Sequence, residues 1–391
     1  MTRVVHIITR LILGGAQENT LLTCRGLHEH PDYECHLATG PALGPEGELL
    51  SQAEQWGLHV ALVPQMRRAI HPLRDWATVK ELRRLIRELK PHIVHTHSSK
   101  AGILGRWAAH AENVPAVVHT IHGLPFHPYE SWWKNKLYIH LERVAARRSH
   151  KIVSVADAMT DQAVAAGVAP REKFVTVYSG MDIEPFLNAD ASREAMRQKF
   201  GFSDDHFVIG KVARLFHLKG HEYVLDAAPC LLERHPHVRF LFVGDGILQD
   251  ALRRQAERLG VADKVVFAGL VPARDVAAHI GAMDALVHAS LREGLARVLP
   301  QALLAGKPVV SFDVDGAREV ILEGETGYLV PPKSVDGLVA SLGEIIKEPD
   351  LAAEMAMRGR TLCRQRYPWQ TMVEQLVALY EELIGRVTRD A

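Results

Sequence analysis

Two cations and one carboxylate hold positions from which phosphate and sugar chemistry can be run. Arg214 closes an apolar run, and Lys219-Gly220 follows it just ahead of an amphipathic stretch. Cations flanking one loop can clamp a diphosphate, the guanidinium as a planar fork and the ammonium as a point charge. Solvated loop charges are the alternative, and the place of both residues at a strand end favours the clamp. The carboxylate is Glu293, in the polar turn Arg292-Glu293-Gly294. Leu295, Ala296 and Val298 then begin an apolar run to residue 305, which ends in the helix stop signal Gly306-Lys307-Pro308. Pro300 has no N–H and fits only in a first turn, where that donor would lack a partner anyway, so the helix starts within residues 296–298. Free amides at a helix start attract phosphate, and a carboxylate beside them can hold sugar hydroxyls. The pairing points to a nucleotide-sugar site, with Gln301 as a polar position on an otherwise apolar helix.

Weaker signals surround this one. Gly14-Gly15-Ala16-Gln17 lies between a first strand and a first helix, where glycine lets phosphate approach the backbone; a plain turn explains it equally well. Gly244-Asp245-Gly246 marks another strand end, as turn or as ligand loop. Residues 267–272, with Val271, have a small, kinked backbone suited to holding a flat base through main-chain groups, or to nothing more than a turn. His122-Gly123 follows the apolar run 117–121, and an imidazole there can hydrogen-bond a reacting sugar or its leaving phosphate. His95 and His97 alternate on one strand face as metal ligands would, but no carboxylate or cysteine completes a set, so a structural role is preferred. Asp313-Val314-Asp315 has the form of a metal-binding Asp-x-Asp and reads here as loop chemistry. Trp132, Trp133, Lys134 and Lys136 open a stretch to Lys151 that mixes aromatic and basic residues. Such a surface can rest on anionic lipid; a helix packed by its aromatics, with solvated bases outside, is the preferred reading.

The elements that must position these residues alternate regularly. Strand-like runs at residues 4–9, 35–38, 59–63, 93–96, 116–120, 152–155 and 174–177 are separated by helical patterns, including a long one over 132–148. Residues 179–205 are rich in Gly, Asp, Asn and Pro and break the series. A second series has strands at 207–213, 238–243, 264–267, 285–288 and 308–312, then an amphipathic helix at 369–384. Alternation of this kind implies an α/β chain with two doubly wound parallel sheets, whose ligands bind in a cleft at the carboxyl ends of the strands.

Composition agrees. A chain of 391 residues exceeds what one core organises, so two domains are expected. Lys plus Arg and Asp plus Glu are equal at 46 each, which removes the global field that nucleic acid would call for. Residues 51–150 carry 15 basic against 7 acidic side chains, a local bias toward an anionic surface or an ordinary solvated face. Cys24, Cys35, Cys230 and Cys363 form no Cys-x-x-Cys pair, so reduced thiols and no sulfur-bound metal are expected. The N-terminus is interrupted by Arg3, His6 and Arg10 and reads as a strand rather than a signal peptide, and no apolar run is long enough to span a membrane. The expectation is a cytoplasmic protein, peripheral at most at the inner face of the membrane.

Taken together, these segments resemble the family 4 retaining glycosyltransferases of the GT-B fold. The resemblance rests on Gly14-Gly15-Ala16-Gln17, residues 95–105, 119–123, 177–182, 213–220, 244–246, 267–272 and above all 290–330, and is strongest toward bacterial enzymes of exopolysaccharide and envelope glycans. It implies two Rossmann-like domains facing across a cleft: residues 1–180 on the acceptor side, and residues 181–391 binding the nucleotide sugar, with a terminal helix over 366–391 that packs back toward the first domain. It implies donor contacts from Gly15, Arg214, Lys219, Asp245, Val271, Glu293, Gly294, Leu295, Ala296, Val298 and Gln301, and catalytic roles for His122, Arg214, Lys219 and Glu293. No cofactor and no metal are implied, because the two cations stand in for one. The partners implied are a nucleotide diphosphate sugar, most of all a UDP-sugar, and a lipid-linked or small hydroxyl acceptor. Gln301 departs from the pattern, since the family's Glu-x7-Glu element places its second glutamate there to accept from ribose hydroxyls. Asp315 stands where the family has glycine. A sugar-nucleotide epimerase of the same fold is an alternative, and so is a non-catalytic nucleotide-sugar sensor.

Overall fold

In the computed structural model, which describes residues 1–43 and 47–390, each series of alternating elements folds onto its own parallel sheet. One compact unit comprises Met1–Met181 together with Pro368–Ala391, and the other is Asp182–Tyr367. The last helix, Trp369–Asp390, is therefore part of the first unit.

The first sheet is built from β1 (Thr2–Ile8), β2 (Tyr33–Thr39), β3 (His59–Leu62), β4 (Ile93–His97), β5 (Ala116–Ile121), β6 (Lys151–Ser154) and β7 (Phe174–Thr176). Their spatial order is β3-β2-β1-β4-β5-β6-β7, with every pairing parallel. Parallel strands are buried on both faces, which is why β1 reads as a nearly continuous apolar run. Val4 and Ile8 pack against Leu21, Leu27 and Leu376 on one face. Val5 and Ile7 meet Leu82, Ile86 and Ala108 on the other. Helices Gly15–Glu29 and Trp369–Asp390 thus cover one side, and Pro72–Leu89 and Ser99–Ala111 the opposite one.

The second sheet contains β8 (Phe207–Val212), β9 (Val238–Val243), β10 (Val265–Gly269), β11 (Ala285–His288), β12 (Val309–Phe312) and β13 (Tyr328–Val330). Its order is β10-β9-β8-β11-β12-β13, again wholly parallel. Both sheets wind outward from a central pair, β1 with β4 and β8 with β11, and the crevice at that reversal is where such sheets bind ligands.

Two differences from the sequence reading have simple causes. β13 has only three residues, too few to show a period. The helix starts at Val298, within the range that Pro300 sets, and runs to Leu304, with Leu295 and Ala296 in the turn that enters it. Its stop lies where the sequence puts it: Gly306 takes φ +70°, its N–H donates to Leu303 O at 2.9 Å and that of Lys307 to Ala302 O at 2.9 Å. Finally, the aromatics of helix Trp132–Ala146 do not pack it. Trp132 and Trp133 are 69% and 54% exposed, with Lys136 Nζ 4.7 Å above one ring and Lys134 Nζ 5.6 Å above the other.

Candidate functional site

The loops that follow β8 and β11 are locked together at the reversal of the second sheet. Leu291 N–H donates to Leu218 O at 2.8 Å, and Ser290 lies buried beside them. Gly220 makes the approach possible: its φ is +68°, and a Cβ there would sit 1.7 Å from Ala289 O. A left-handed backbone with no room for a side chain is open only to glycine. The lock brings Lys219 to Glu293, with Nζ 2.6 Å from Oε1, and holds them as the centre of the site.

The state of Glu293 follows from its surroundings. Burial alone would raise its pKa, but the Lys219 charge outweighs it, helped by His288 at 3.7 Å and by hydrogen bonds from Lys219 and Ser290, and the carboxyl falls to about 2. Its backbone N–H donates to Asp315 Oδ2 at 2.6 Å, so Asp315 orients the turn. Asp315 adopts φ +47°, a left-handed conformation in which short polar side chains are the best tolerated after glycine.

Beneath this pair lies a set of polar groups that the sequence reading missed. Lys211, in the middle of β8, is fully buried, and its Nζ has no hydrogen-bond partner. Both ring nitrogens of His221, Nε2 of His288 and Oε2 of Glu222 are likewise buried without one. Burial pushes the Lys211 amine down to about 7 against the pull of Glu293, and pushes the His288 and His221 imidazoles down to about 3 and about 2. A lysine inside an apolar strand was the available signal.

Arg214 is exposed at the end of β8, its guanidinium 5.0 Å above the Phe216 ring. Among the described residues it makes no ion pair, so its fork is available to an anion. Gly244 and Asp245 follow β9. Gly244 has φ +138° and passes so close to Ala213 O that a Cβ would lie 2.1 Å away, while its N–H donates to Gly269 O at 2.9 Å. Asp245 O accepts from Leu215 N–H at 2.9 Å, which ties this loop to Arg214's neighbour, and its carboxylate caps Gly246 N–H at 2.7 Å. Val271 lies half-buried after β10. Gly294 is half-buried, and Leu295, Ala296 and Val298 are buried along the turn into the helix, so what they offer a ligand is main chain. Gln301 is half-buried one turn further on, its amide bonding no described residue. Asp313 pairs with Arg318 rather than with Asp315.

In the first unit, Gly15 begins the helix after β1 and is exposed. His122 follows β5, and its ring is held from within: Nε2 lies 3.1 Å from His97 Nδ1, and His97 Nε2 lies 2.9 Å from His6 Nδ1. His95, the in-register neighbour of His6, bonds Tyr380 Oη at 2.5 Å and Thr120 Oγ1 at 2.7 Å. Both nitrogens of His95 and of His97 are therefore engaged within the protein. The sequence offered no cysteine near them, yet Cys24 and Cys35 come together in the fold. Their sulfurs and a His6 ring nitrogen all lie within 4.8 Å of one another. Contacts between segments so far apart leave no trace in spacing.

Comparison with known proteins agrees with this geometry. Residues 13–185 match the family described as Glycosyltransferase Family 4, and residues 192–362 match Glycosyl transferases group 1. A GDP-mannose-dependent alpha-(1-6)-phosphatidylinositol monomannoside mannosyltransferase of Mycolicibacterium smegmatis is 30% identical over 263 residues, covering 65% of this chain and 68% of the relative. The Escherichia coli UDP-Gal:alpha-D-GlcNAc-diphosphoundecaprenol alpha-1,3-galactosyltransferase is 26% identical over 343 residues, 87% of each chain. Among solved structures, Anabaena Alr3699/HepE in complex with UDP and glucose superposes with a TM-score of 0.83 at 23% identity, covering 97% of this chain and 99% of the other. The chain belongs to the family 4 glycosyltransferases and has their GT-B fold of two Rossmann-like domains.

Proposed function

We propose that the protein transfers a hexose or N-acetylhexosamine from a nucleotide diphosphate sugar, UDP-linked in the first instance, to a hydroxyl of a lipid-linked or small acceptor. The observation that carries this is the Lys219–Glu293 pair at the strand reversal, beside an Arg214 whose guanidinium has no anionic partner among the described residues. In this reading Arg214 and Lys219 neutralise the departing diphosphate in place of a metal, the main chain of residues 294–298 adds donors, and Glu293 holds sugar hydroxyls. His122 acts on the sugar. The bond from the anomeric carbon to the diphosphate oxygen breaks as the acceptor oxygen bonds the same face, and the leaving oxygen takes the acceptor's proton. Configuration is retained, and the protein contributes position and charge. The donor reading draws support from relatives named for UDP-Gal and GDP-mannose and from a structural neighbour that holds UDP and glucose.

Envelope or exopolysaccharide assembly is the setting this suggests, since a further relative is a capsular polysaccharide biosynthesis glycosyltransferase of Staphylococcus aureus. No helix among the described residues is long and apolar enough to cross a membrane. The exposed Trp132 and Trp133, each under a lysine, suit peripheral contact with anionic lipid on the cytoplasmic side. Gln301 keeps a second reading open, a nucleotide-sugar sensor that binds without transfer. Nucleotide release from UDP-glucose, UDP-galactose, UDP-N-acetylglucosamine and GDP-mannose, with membrane-lipid extract as acceptor, separates the two. The expected result is turnover of one donor, reduced on the order of a hundredfold or more in Glu293→Ala and Lys219→Ala. UDP binding by calorimetry with no transfer favours the sensor, and neither binding nor transfer rejects both.

A further inference from the structure

His122 ends a line of imidazoles that runs into the core of the first unit. From the inside outward the contacts are His6 Nδ1 to His97 Nε2 at 2.9 Å, and His97 Nδ1 to His122 Nε2 at 3.1 Å. The rings of His6 and His97 stack at 20° and those of His97 and His122 at 28°, so the line is an ordered column. His6 and His97 are 0% and 1% exposed. Burial holds both imidazoles far below their ordinary pKa, His6 at about 3, so at neutral pH each carries one proton and must donate at one nitrogen and accept at the other. Two neutral rings in series leave only two arrangements: every proton points toward His122, or every proton points toward His6.

The inner end decides between them. His6 Nε2 is buried with no hydrogen-bond partner, and one of the two His6 ring nitrogens lies within 4.8 Å of the Cys24 and Cys35 sulfurs. Burial raises the Cys24 pKa, as does its hydrogen bond to Cys35, so it stays a thiol. Thiols offer S–H donors and are poor acceptors. A protonated Nε2 would bury an N–H with no acceptor, which is the costlier orphan, whereas a bare Nε2 leaves only a lone pair without a donor.

We propose that His6 and His97 form a polarised hydrogen-bond line, its inner end fixed by a buried and unpartnered His6 Nε2, that sets His122 in the tautomer protonated at Nδ1, and so makes that ring a hydrogen-bond donor to oxygen atoms of the sugar nucleotide. His6 and His97 are positioning residues in this scheme. His122 Nε2 is consumed by the His97 Nδ1–H, and the proton of His122 resides on Nδ1, opposite to the form that free imidazole side chains prefer. The consequence for the substrate rests on the proposed role of His122; the tautomer itself does not.

Selective ¹⁵N-histidine labelling of the full chain, read by two-bond nitrogen–proton correlation, reports which nitrogen of each ring carries the proton. Signals are assigned by their loss in His6→Gln, His97→Gln and His122→Gln. Expected are three rings protonated at Nδ1, with His122 moving toward mixed tautomers in His97→Gln. The substitution His6→Phe removes the inner donor while leaving His97 and His122, and is expected to move both rings toward mixed tautomers; it keeps the test open should His97→Gln fold poorly. In transfer assays His97→Gln is expected to lower kcat on the order of tenfold while UDP affinity is unchanged. A wild-type His122 protonated at Nε2, or a His122 signal indifferent to both variants, overturns the proposal. Absence of transfer by the wild type would instead reject the proposed function and leave the spectra to judge the tautomer.

Discussion

At the scale of single residues, Glu293 shows how neighbours rather than type decide what a side chain can do. A carboxyl so enclosed would ordinarily take up a proton, and the ammonium of Lys219 prevents it. Its folded pKa of about 2 lies below the ordinary 4.5, so its ionised form contributes stability that is complete above the unfolded value and drains away as pH falls toward the folded one. The difference in Tm between wild type and Glu293→Gln should accordingly stay level from about pH 7 to about pH 5, then shrink as the pH falls further. A difference that grows on acidification would contradict the ion pair. Arg214, Lys219 and Glu293 stand out in the sequence because they punctuate apolar runs, and Gln301 because it is polar on an otherwise apolar helix. Lys211, His221 and His288 were not, since a buried titratable residue in a strand or helix start looks the same in sequence whether it faces a core, a water or a site. His6 and Cys24 were invisible for a further reason: what matters about them is one another.

At the scale of elements, the site is two loops held in register by backbone. Gly220 is the point on which that register turns, for any Cβ would strike Ala289 O and force the φ of +68° on a residue that resists it. Gly220→Ala should cost more than about 1 kcal/mol in urea unfolding and weaken UDP binding, because the Leu218–Leu291 lock and the Lys219–Glu293 pair move together. Retained stability with lost UDP affinity would show that the loop relaxes without the sheet. Strand and helix alternation was readable here because the strands are dominated by apolar runs and many of the loops carry glycine or proline. The start of helix Val298–Leu304 was readable from Pro300, and its end from Gly306. The short β13 was not, and neither was the exposure of Trp132 and Trp133, which depends on what covers the helix rather than on its own pattern.

At the scale of the molecule, the two units have separate cores, and the nucleotide site proposed here is built from the second. Scanning calorimetry should resolve two transitions, and UDP at about a hundred times its Kd should raise one of them by the equivalent of roughly 2.7 kcal/mol while leaving the other in place. A single transition shifted as a whole would show that the units unfold together. Two series of elements were plain in the sequence; the return of residues 368–391 to the first unit rests on contacts such as those of Met372 with Asn19 and of Tyr380 with His95 and Tyr33, and a helix's own period does not say which sheet it will cover. That return has a further consequence. The chain leaves the first unit after Met181 and re-enters it at Pro368, and these two residues are bridged, with Trp369 N–H donating to Met181 O at 3.1 Å and Gly180 too close to Trp369 for any side chain. Residues 182–367 are thus a cassette whose two seams touch. Both joins of that cassette fall at one spot, so the second sheet and its Lys219–Glu293 pair can be exchanged between related chains as a single piece.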